Sequence, residues 1–407
     1  MKRVVITGAG AISPFGNNVD SLLKGFEEKR CAIKYMDSWD QFLGLNSHVA
    51  APAELLNEKD IPRRKRRSMG RMGIFAAQAS EQAVADAGLD SDDLSSGRVG
   101  CIIGSTLGSP ESLYETFEVI IPNKNIAEIT SMDFFKFVSH TAAMNVAQYL
   151  GISGIVMATS AACASSLQAI GTGLDLIRLG RQDIILCGGA EEVHPTVTGI
   201  FDVLYATSTK YNNCPKESSR PFDAARDGVV CGEGSGVVIL EEYEHAKRRN
   251  AKIYGEVVGY YTCGSGTHIS QSNKDAMVTC MNNALKDAEI LPNQVDYINA
   301  HATATKQGDK EEAEAVREVF GEKVPVSSLK GNIGHTLGAS GALELIVSMN
   351  MMKNSVIYPT LNLKNVAEDC AGINHIKDFT KKEINILVKN CFAFGGINAT
   401  LICKNIN

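Results

Sequence analysis

One cysteine stands out because small residues crowd it on both sides. Cys163 lies in the stretch Ala158 to Ile170, and the Leu-x-x-Ile spacing after it predicts a helix. A thiol at a tight turn into a helix lies at the positive end of the helix dipole, which favours the reactive thiolate. The small neighbours leave room for a substrate carbonyl. The sequence therefore predicts a nucleophile, with a buried structural cysteine as the alternative.

Two histidines occur in turns of similar composition. His301 follows a predicted strand that begins at Val295, and His335 follows another predicted strand at 324–328. Open α/β sheets build their sites at the carboxyl ends of strands. Either histidine alone could be a core residue, but two in such turns indicate a site. We therefore expect Cys163, His301 and His335 to share one pocket.

An internal repeat indicates which elements position these residues. A predicted helix from Ala76 and the strand Val99 to Gly104 are matched by a helix at 278–290 and the strand after it. The strands that lead into the Cys163 and His335 turns also correspond, and each turn is followed by an apolar helix, at 164–179 and 339–352. The sequence thus predicts an α/β fold of two similar halves, residues 1–250 and 251–407, with packed central helices.

Composition narrows the class of protein. The 407 residues are 44% apolar and 21% charged, enough for a core in each half, and the net charge of −6 argues against a nucleic-acid binder. No apolar run approaches the roughly 18 residues of a membrane span, and the amino terminus does not read as a signal peptide. Eleven cysteines without close pairs fit reduced thiols, not a disulfide framework or a zinc site. We expect a cytoplasmic protein without a membrane association.

The first glycine-rich stretch is not a dinucleotide site. In Val4 to Ser13 the third glycine of the Gly-x-Gly-x-x-Gly pattern is replaced by Ser13, and Pro14 follows where the phosphate-binding helix would begin. The stretch predicts a structural turn after a strand.

These motifs together resemble those of the β-ketoacyl-[acyl carrier protein] synthases, the condensing enzymes of fatty acid and polyketide assembly. The resemblance runs from the Val4 motif to the loop Cys391 to Asn398, and includes Arg220 to Gly228 and Lys330 five residues before His335. It implies a thiolase-like fold with duplicated halves in a layered α-β-α-β-α arrangement. It also implies a homodimer without metal or cofactor, since the 4′-phosphopantetheine arrives on the carrier protein substrate.

The resemblance implies a reaction in two halves. Cys163 would take an acyl chain from a carrier protein, and malonyl carrier protein would then lose CO2 to give an enolate that attacks the acyl group. Neutral His301 and His335 would donate hydrogen bonds to the enolate oxygen. The backbone N–H groups of Cys163 and Phe394 would form the oxyanion hole.

Supporting roles are also implied. Lys330 would be held at the site by the acidic pair Asp309 and Glu312, with Asp309 as the cap of a new helix, and Glu344 would be a satisfied buried carboxylate behind them. The pocket for the pantetheine arm and acyl chain would comprise Thr303, Thr305, Phe392 and Phe394.

A run of five cations stands out on this acidic chain. It could be a solvated helix face, but carrier proteins are acidic and such a patch would steer one towards the site. The predicted carrier contacts are Arg63, Arg64, Lys65, Arg66, Arg67 and, more weakly, Lys124.

Departures from the family pattern favour a specialised polyketide or polyene pathway, with fatty acid biosynthesis as the alternative that stays open. Ala302 replaces a usual glycine, Lys306 a proline, and Ala393 a glycine of the gate loop. Two other functions stay open. A thiolase-type coenzyme A acyltransferase could use Cys391 as its second cysteine, and a non-catalytic chain-length subunit would share the fold. A catalytic subunit could also form a heterodimer with such a partner.

Overall fold

Residues 1–268 and 271–406 are described by a computed structural model of the chain. The strands are β1 Val4–Ile12, β2 Lys34–Tyr35, β3 Val49–Ala51, β4 Val99–Gly104, β5 Val156–Met157, β6 Ile184–Glu191, β7 Cys231–Gly232, β8 Gly234–Glu242, β9 Gly255–Gly264, β10 Tyr297–Asn299, β11 Pro325–Ser327, β12 Val356–Ile357, β13 Asn374–His375, β14 Thr380–Lys381, β15 Ile386–Phe392 and β16 Ile397–Lys404. The α-helices are α1 Val19–Glu27, α2 Arg63–Arg66, α3 Arg71–Ala87, α4 Ser91–Ser95, α5 Pro110–Asn123, α6 Ser131–Phe137, α7 Thr141–Leu150, α8 Ser165–Arg178, α9 Pro195–Asp202, α10 Tyr243–Arg248, α11 Lys274–Ala288, α12 Lys306–Phe320, α13 Lys330–Ile333 and α14 Ser340–Asn354. Among these described helices, none has the length and apolar character to cross a membrane.

The main sheet repeats one strand arrangement twice. Its order is β13-β11-β10-β15-β16-β9-β1-β8-β6-β4-β5, and the middle strands β1 and β9 pair over a short length, at Val5–Glu256 and Ile6–Gly255. On one side of this joint, β5, β4 and β6 are parallel to one another, and β8 runs antiparallel to both of its neighbours, β6 and β1. On the other side, β11, β10 and β15 are parallel to one another, and β16 runs antiparallel to both of its neighbours, β15 and β9. The repeat predicted from the sequence is thereby confirmed.

Three apolar clusters separate the helices into layers. One cluster packs α3 and α7 against β1, β4, β6 and β8, another packs α11 and α12 against β9, β10, β11, β15 and β16, and a third contains α8 and α14. Both central helices are largely buried, and they touch where the Ala342 N–H donates to Ser166 Oγ at 3.1 Å. This is the predicted α-β-α-β-α order. It brings the starts of α8 and α14 together.

The glycines of β1 serve packing, and the predicted turn after the strand lies at Ser13 to Gly16, whose backbone groups exchange hydrogen bonds. Strand β1 continues through Gly8 and Gly10 to Ile12. A Cβ at Gly10 would lie 1.9 Å from the carbonyl oxygen of Ala79 on α3, and one at Gly8 would lie 2.4 Å from that of Ala83. The missing side chains let the strand lie directly against the helix.

Candidate active site

Cys163 occupies a sharp turn between β5 and α8. Ala162, the residue before it, has a left-handed backbone with φ of 47°, which a non-glycine residue rarely adopts. Ser165 holds this turn, because its hydroxyl donates to the Ala162 carbonyl at 2.6 Å and accepts from the Ala161 N–H at 2.9 Å. The turn places the thiol directly before the helix, as predicted, and inside the protein.

Burial raises the pKa of the Cys163 thiol to about 12. The neighbouring Cys391 adds to the rise, while the Lys330 ammonium and the Phe394 N–H, which donates to the sulfur, oppose it. The expectation that the helix start alone yields a thiolate is therefore wrong for the free protein, because desolvation outweighs the nearby donors. The thiol is protonated at neutral pH and needs a base when it reacts.

His301 and His335 meet beside the thiol. One ligand atom from each of Cys163, His301 and His335 lies within 4.8 Å of the others, and the imidazole rings meet edge to face at 5.0 Å. Burial lowers the pKa of both histidines well below the usual value, and the Lys330 ammonium adds to this, so both rings are neutral. A zinc ion could use such a spacing, but a thiol beside two neutral imidazoles is equally a set for covalent catalysis.

Lys330 pairs with Glu344, not with Asp309 and Glu312. Its Nζ lies 2.7 Å from Glu344 Oε1, and both side chains are buried. The predicted contact with the acidic pair is wrong because Glu344, one turn into α14, faces the start of α13 in the core. Burial alone would raise the pKa of Glu344, but two neighbouring ammonium groups, those of Lys330 and Lys389, outweigh it and bring the pKa to about 2.

The acidic pair instead holds the loop that carries His301. Glu312 accepts from the His301 N–H at 2.8 Å and from the Ala302 N–H at 2.6 Å. Asp309 accepts from the N–H groups of Phe222 and Thr303 at 2.7 and 3.0 Å. Helix α12 begins at Lys306 with Thr305 as its N-cap, so the prediction of Asp309 as the cap is also wrong. Asp309 and Glu312 therefore hold the His301 loop in place by accepting hydrogen bonds from its backbone N–H groups.

A narrow chamber surrounds the reactive groups and opens into a wider one. The inner chamber has a volume of about 40 Å³, room for one or two water molecules, and an outer cavity of about 870 Å³ adjoins it. Phe394 lines both cavities, and its ring packs against Phe201 at 5.4 Å. The predicted pocket residues Thr303, Thr305, Phe392 and Phe394 all line the inner chamber. In this conformation the inner chamber is too small to hold an acyl chain.

Comparison with known proteins agrees with this geometry. The family model described as "Beta-ketoacyl synthase, N-terminal domain" matches residues 1–246, and the one described as "Beta-ketoacyl synthase, C-terminal domain" matches residues 254–364. The chain belongs to the β-ketoacyl synthase family. This β-ketoacyl synthase is 37% identical, over 408 residues and 100% of both chains, to 3-oxoacyl-[acyl-carrier-protein] synthase 1 of Escherichia coli (strain K12).

Solved structures of ketosynthases superpose on it over full length. A β-ketoacyl synthase from Burkholderia phymatum STM815 has a TM-score of 0.97 at 42% identity, with 100% of both chains covered. AntDE:AntF (apo), described as a type II PKS acyl-carrier protein in complex with its ketosynthase bound to the hexaketide, has a TM-score of 0.92 at 31% identity, also with full coverage. This β-ketoacyl synthase therefore has the thiolase-like fold.

The basic run of this β-ketoacyl synthase divides into two groups. Arg63, Arg64 and Arg67 are exposed, whereas Lys65 donates to the Gln148 carbonyl and Arg66 donates to the Glu58 carbonyl at 2.7 Å. Lys124 is exposed at the end of α5. Only the exposed cations are free to meet a partner's charges.

Two buried residues of the synthase escaped the sequence analysis. Lys389 on β15 donates to Glu344 Oε2 at 2.5 Å. Glu191, at the end of β6, accepts from the N–H groups of Thr106 and Gly338 at 2.8 and 2.9 Å and so ties β4 to the start of α14. A charged residue inside an otherwise apolar strand was the available signal in both cases.

Proposed function

We propose that this protein catalyses the decarboxylative condensation of a Cys163-bound acyl chain with malonyl carrier protein, releasing CO2 and a β-ketoacyl carrier protein. The observation that carries the proposal is the buried cluster of Cys163, His301 and His335 with atoms within 4.8 Å, beside an N–H donor from Phe394. A thiolase would share the thiol and a non-catalytic subunit would share the fold. The two histidines and the Lys330–Glu344 pair support a decarboxylating synthase over both.

The first half-reaction loads the enzyme. The Cys163 sulfur attacks the thioester carbonyl of the acyl carrier protein, and its proton passes to a neutral imidazole of His301 or His335. The N–H of Phe394 and that of Cys163 stabilise the oxyanion that forms. The tetrahedral adduct collapses with loss of the carrier's pantetheine thiolate, which takes the proton back from the imidazole. The enzyme is left acylated on sulfur.

The second half-reaction forms the carbon–carbon bond. The malonyl group loses CO2, and the electrons of the broken bond pass to an enolate whose oxygen accepts hydrogen bonds from the two imidazoles. Each such preorganised donor is worth about 3–4 kcal/mol. The enolate carbon attacks the acyl-Cys163 carbonyl, and the sulfur leaves as a thiolate near the Lys330 ammonium.

Binding of the carrier protein follows from charge and from the two cavities. The exposed Arg63, Arg64, Arg67 and Lys124 would contact the acidic carrier, while Thr303 and Thr305, whose hydroxyls lie 3.1 Å apart, would bind the pantetheine arm at the chamber wall. The phosphopantetheine belongs to the substrate, and we assign no resident cofactor. The related E. coli protein is named for an acyl carrier protein, which supports this partner.

A homodimer is supported by an uncovered sheet edge. Strand β5 ends the main sheet, and its Val156 and Met157 are exposed. Ile121 and Phe117 on α5 are exposed as well. Exposed edge strands with apolar side chains pair with another chain, here most simply a second copy. A chain-length subunit in that place would give the heterodimer instead.

Three further proposals concern the substrate, the boundary between the two halves and the location of the protein. Ala302 and Ala393 line the inner chamber and Lys306 lines the outer one, so the departures from the family pattern lie at the pocket, which supports a specialised polyketide or polyene substrate. The division of the chain at residue 250 is supported by the loop between α10 and β9. The cytoplasmic location stays a prediction.

Mass spectrometry of the intact protein tests the function. Incubation with acyl carrier protein should add one acyl group to Cys163, and malonyl carrier protein should then release CO2 and discharge that group as a β-ketoacyl product. The Cys163→Ser variant should show no loading, because a serine hydroxyl lacks the acidity of a thiol. Cleavage of a ketoacyl substrate with coenzyme A would indicate a thiolase, and the absence of any loading would indicate the non-catalytic subunit.

A further inference from the structure

Lys389 is a fully buried lysine that the reaction described above does not use. It lies on β15, a strand whose seven residues are all buried. Its Nζ donates to Glu344 Oε2 at 2.5 Å and to the Asn390 carbonyl at 2.9 Å. Burying an ammonium group is costly unless it is paired. Its presence here therefore needs a physical reason.

Lys389 and Lys330 share a single carboxylate. Lys330 contacts one oxygen of Glu344 at 2.7 Å and Lys389 contacts the other at 2.5 Å, so two positive charges face one negative charge in the core. One lysine would already neutralise Glu344. The second leaves these three groups with one positive charge in excess, and a merely structural ion pair has no need of that excess. Glu312 also lies near both lysines, but burial raises its pKa, which disfavours its negative form.

The excess charge lies behind the reactive groups. Burial is the main cause of the low histidine pKa values, but both lysines lower the pKa of His301 and of His335 further. Burial alone would lower the pKa of Lys389, yet Glu344, with smaller contributions from Cys391 and Glu312, outweighs it and the pKa is raised, so the side chain stays charged. The groups that face Lys389 are Glu344 on α14, Lys330 on α13, Glu312 on α12, Tyr297 on β10, Cys391 on its own strand, and the two histidines.

We propose that Lys389 is a positioning residue that binds one oxygen of Glu344, so that the Lys330 ammonium keeps part of its positive charge for the Cys163 thiolate. If Glu344 had only Lys330 as a partner, the carboxylate would cancel that charge at the site. With Lys389 present, the carboxylate is divided between two cations, and a net positive charge faces the sulfur and the enolate oxygen. This inference rests on the proposed function, since it assigns a purpose to charge beside a nucleophilic thiol.

The rate at which iodoacetamide alkylates Cys163 shows the effect of this charge on the thiol, and the assay needs no carrier protein. The rate of modification, followed by peptide mass spectrometry from pH 6 to 10, reports the fraction of thiolate at Cys163. Lys389→Met removes the charge but keeps most of the volume. We expect alkylation about tenfold slower at each pH below 10, the effect of one pKa unit. Lys389→Arg keeps the charge and serves as the matched control, with a rate close to that of the wild type.

Steady-state kinetics provide the second measurement. Because Lys389 lies away from the surface and from the chamber lining, Lys389→Met should lower kcat for CO2 release and leave the KM for malonyl carrier protein unchanged. A rise in KM with unchanged kcat would overturn the inference. So would an alkylation profile identical to that of the wild type, or an Arg variant as slow as the Met variant.

Two further comparisons distinguish failure of this inference from a folding defect and from failure of the proposed function. If Lys389→Met does not fold, Lys389→Gln replaces it, because glutamine can still donate to Glu344 but carries no charge, and the same slowing is expected. If the wild type is never loaded by acyl carrier protein, the proposed function fails. The inference about Lys389 still stands or falls on the alkylation rates alone.

Discussion

Replacing Glu344 by glutamine should destabilise the protein severely, because two buried ammonium groups would lose the carboxylate that contacts both of them. The drop in the pKa of Glu344 from 4.5 to about 2 corresponds to roughly 3 kcal/mol of preference for the ionised form in the folded state. Breaking a buried ion pair from one side costs about 3–5 kcal/mol. Since globular proteins unfold with about 5–15 kcal/mol, Glu344→Gln should lose a large share of the total stability.

Urea unfolding at pH 7.5, followed by circular dichroism, measures this loss. The matched control is Glu28→Gln, whose carboxylate lies 3.3 Å from Arg30 and 3.8 Å from Lys24 with all three side chains about half exposed or more, and which should lose less than about 1 kcal/mol. The pKa of Glu344 is lowered in the folded state, so its contribution is present above pH 4.5 and is lost as the pH falls towards 2. The gap between wild type and Glu344→Gln should therefore narrow over that range. A variant within 1 kcal/mol of the wild type at pH 7.5, or a gap independent of pH, would refute the reasoning.

Two more predictions concern the reactive groups and the partner. His301→Ala and His335→Ala should each still load an acyl group, because the remaining imidazole can accept the thiol proton, but both should fail to release CO2; loss of loading in both single variants would contradict this division of roles. Reversing the charge of Arg63, Arg64 and Arg67 should weaken binding of the carrier protein in a salt-dependent way and spare reaction with a small acyl thioester, whereas the same reversal of the exposed Lys323, Lys353 and Lys381 should not.

The reactive groups could be predicted from the sequence because each lies in a turn with a local signature. Cys163, His301 and His335 follow strands and occur in stretches of small residues, so composition and periodicity indicate them as candidates. The repeat of helix, loop and strand was sufficient to bring them together. The same local signals could not give the pKa of Cys163, because the cost of burial depends on everything packed around the sulfur.

The ionic core could not be predicted in the same way. The partner of Lys330 was assigned to Asp309 and Glu312 by resemblance, yet Glu344 holds it, because α14 faces α13 only in the folded chain. Lys389 lies in an apolar strand, and nothing local tells which distant carboxylate it meets. The acidic residues near His301 were placed at the right site, but their contacts with backbone N–H groups depend on the loop's path.

Because β1 and β9 pair over a short length, the reaction depends on how firmly the two sides of the sheet are held together. The thiol comes from one side of that joint and both imidazoles from the other, while two residue pairs of β1 and β9 link the sheet across it. A small slip between the two sides would separate sulfur from imidazole while each side kept its own strands and helices. If the two sides separate before either unfolds, we expect turnover to fall before the circular dichroism signal changes.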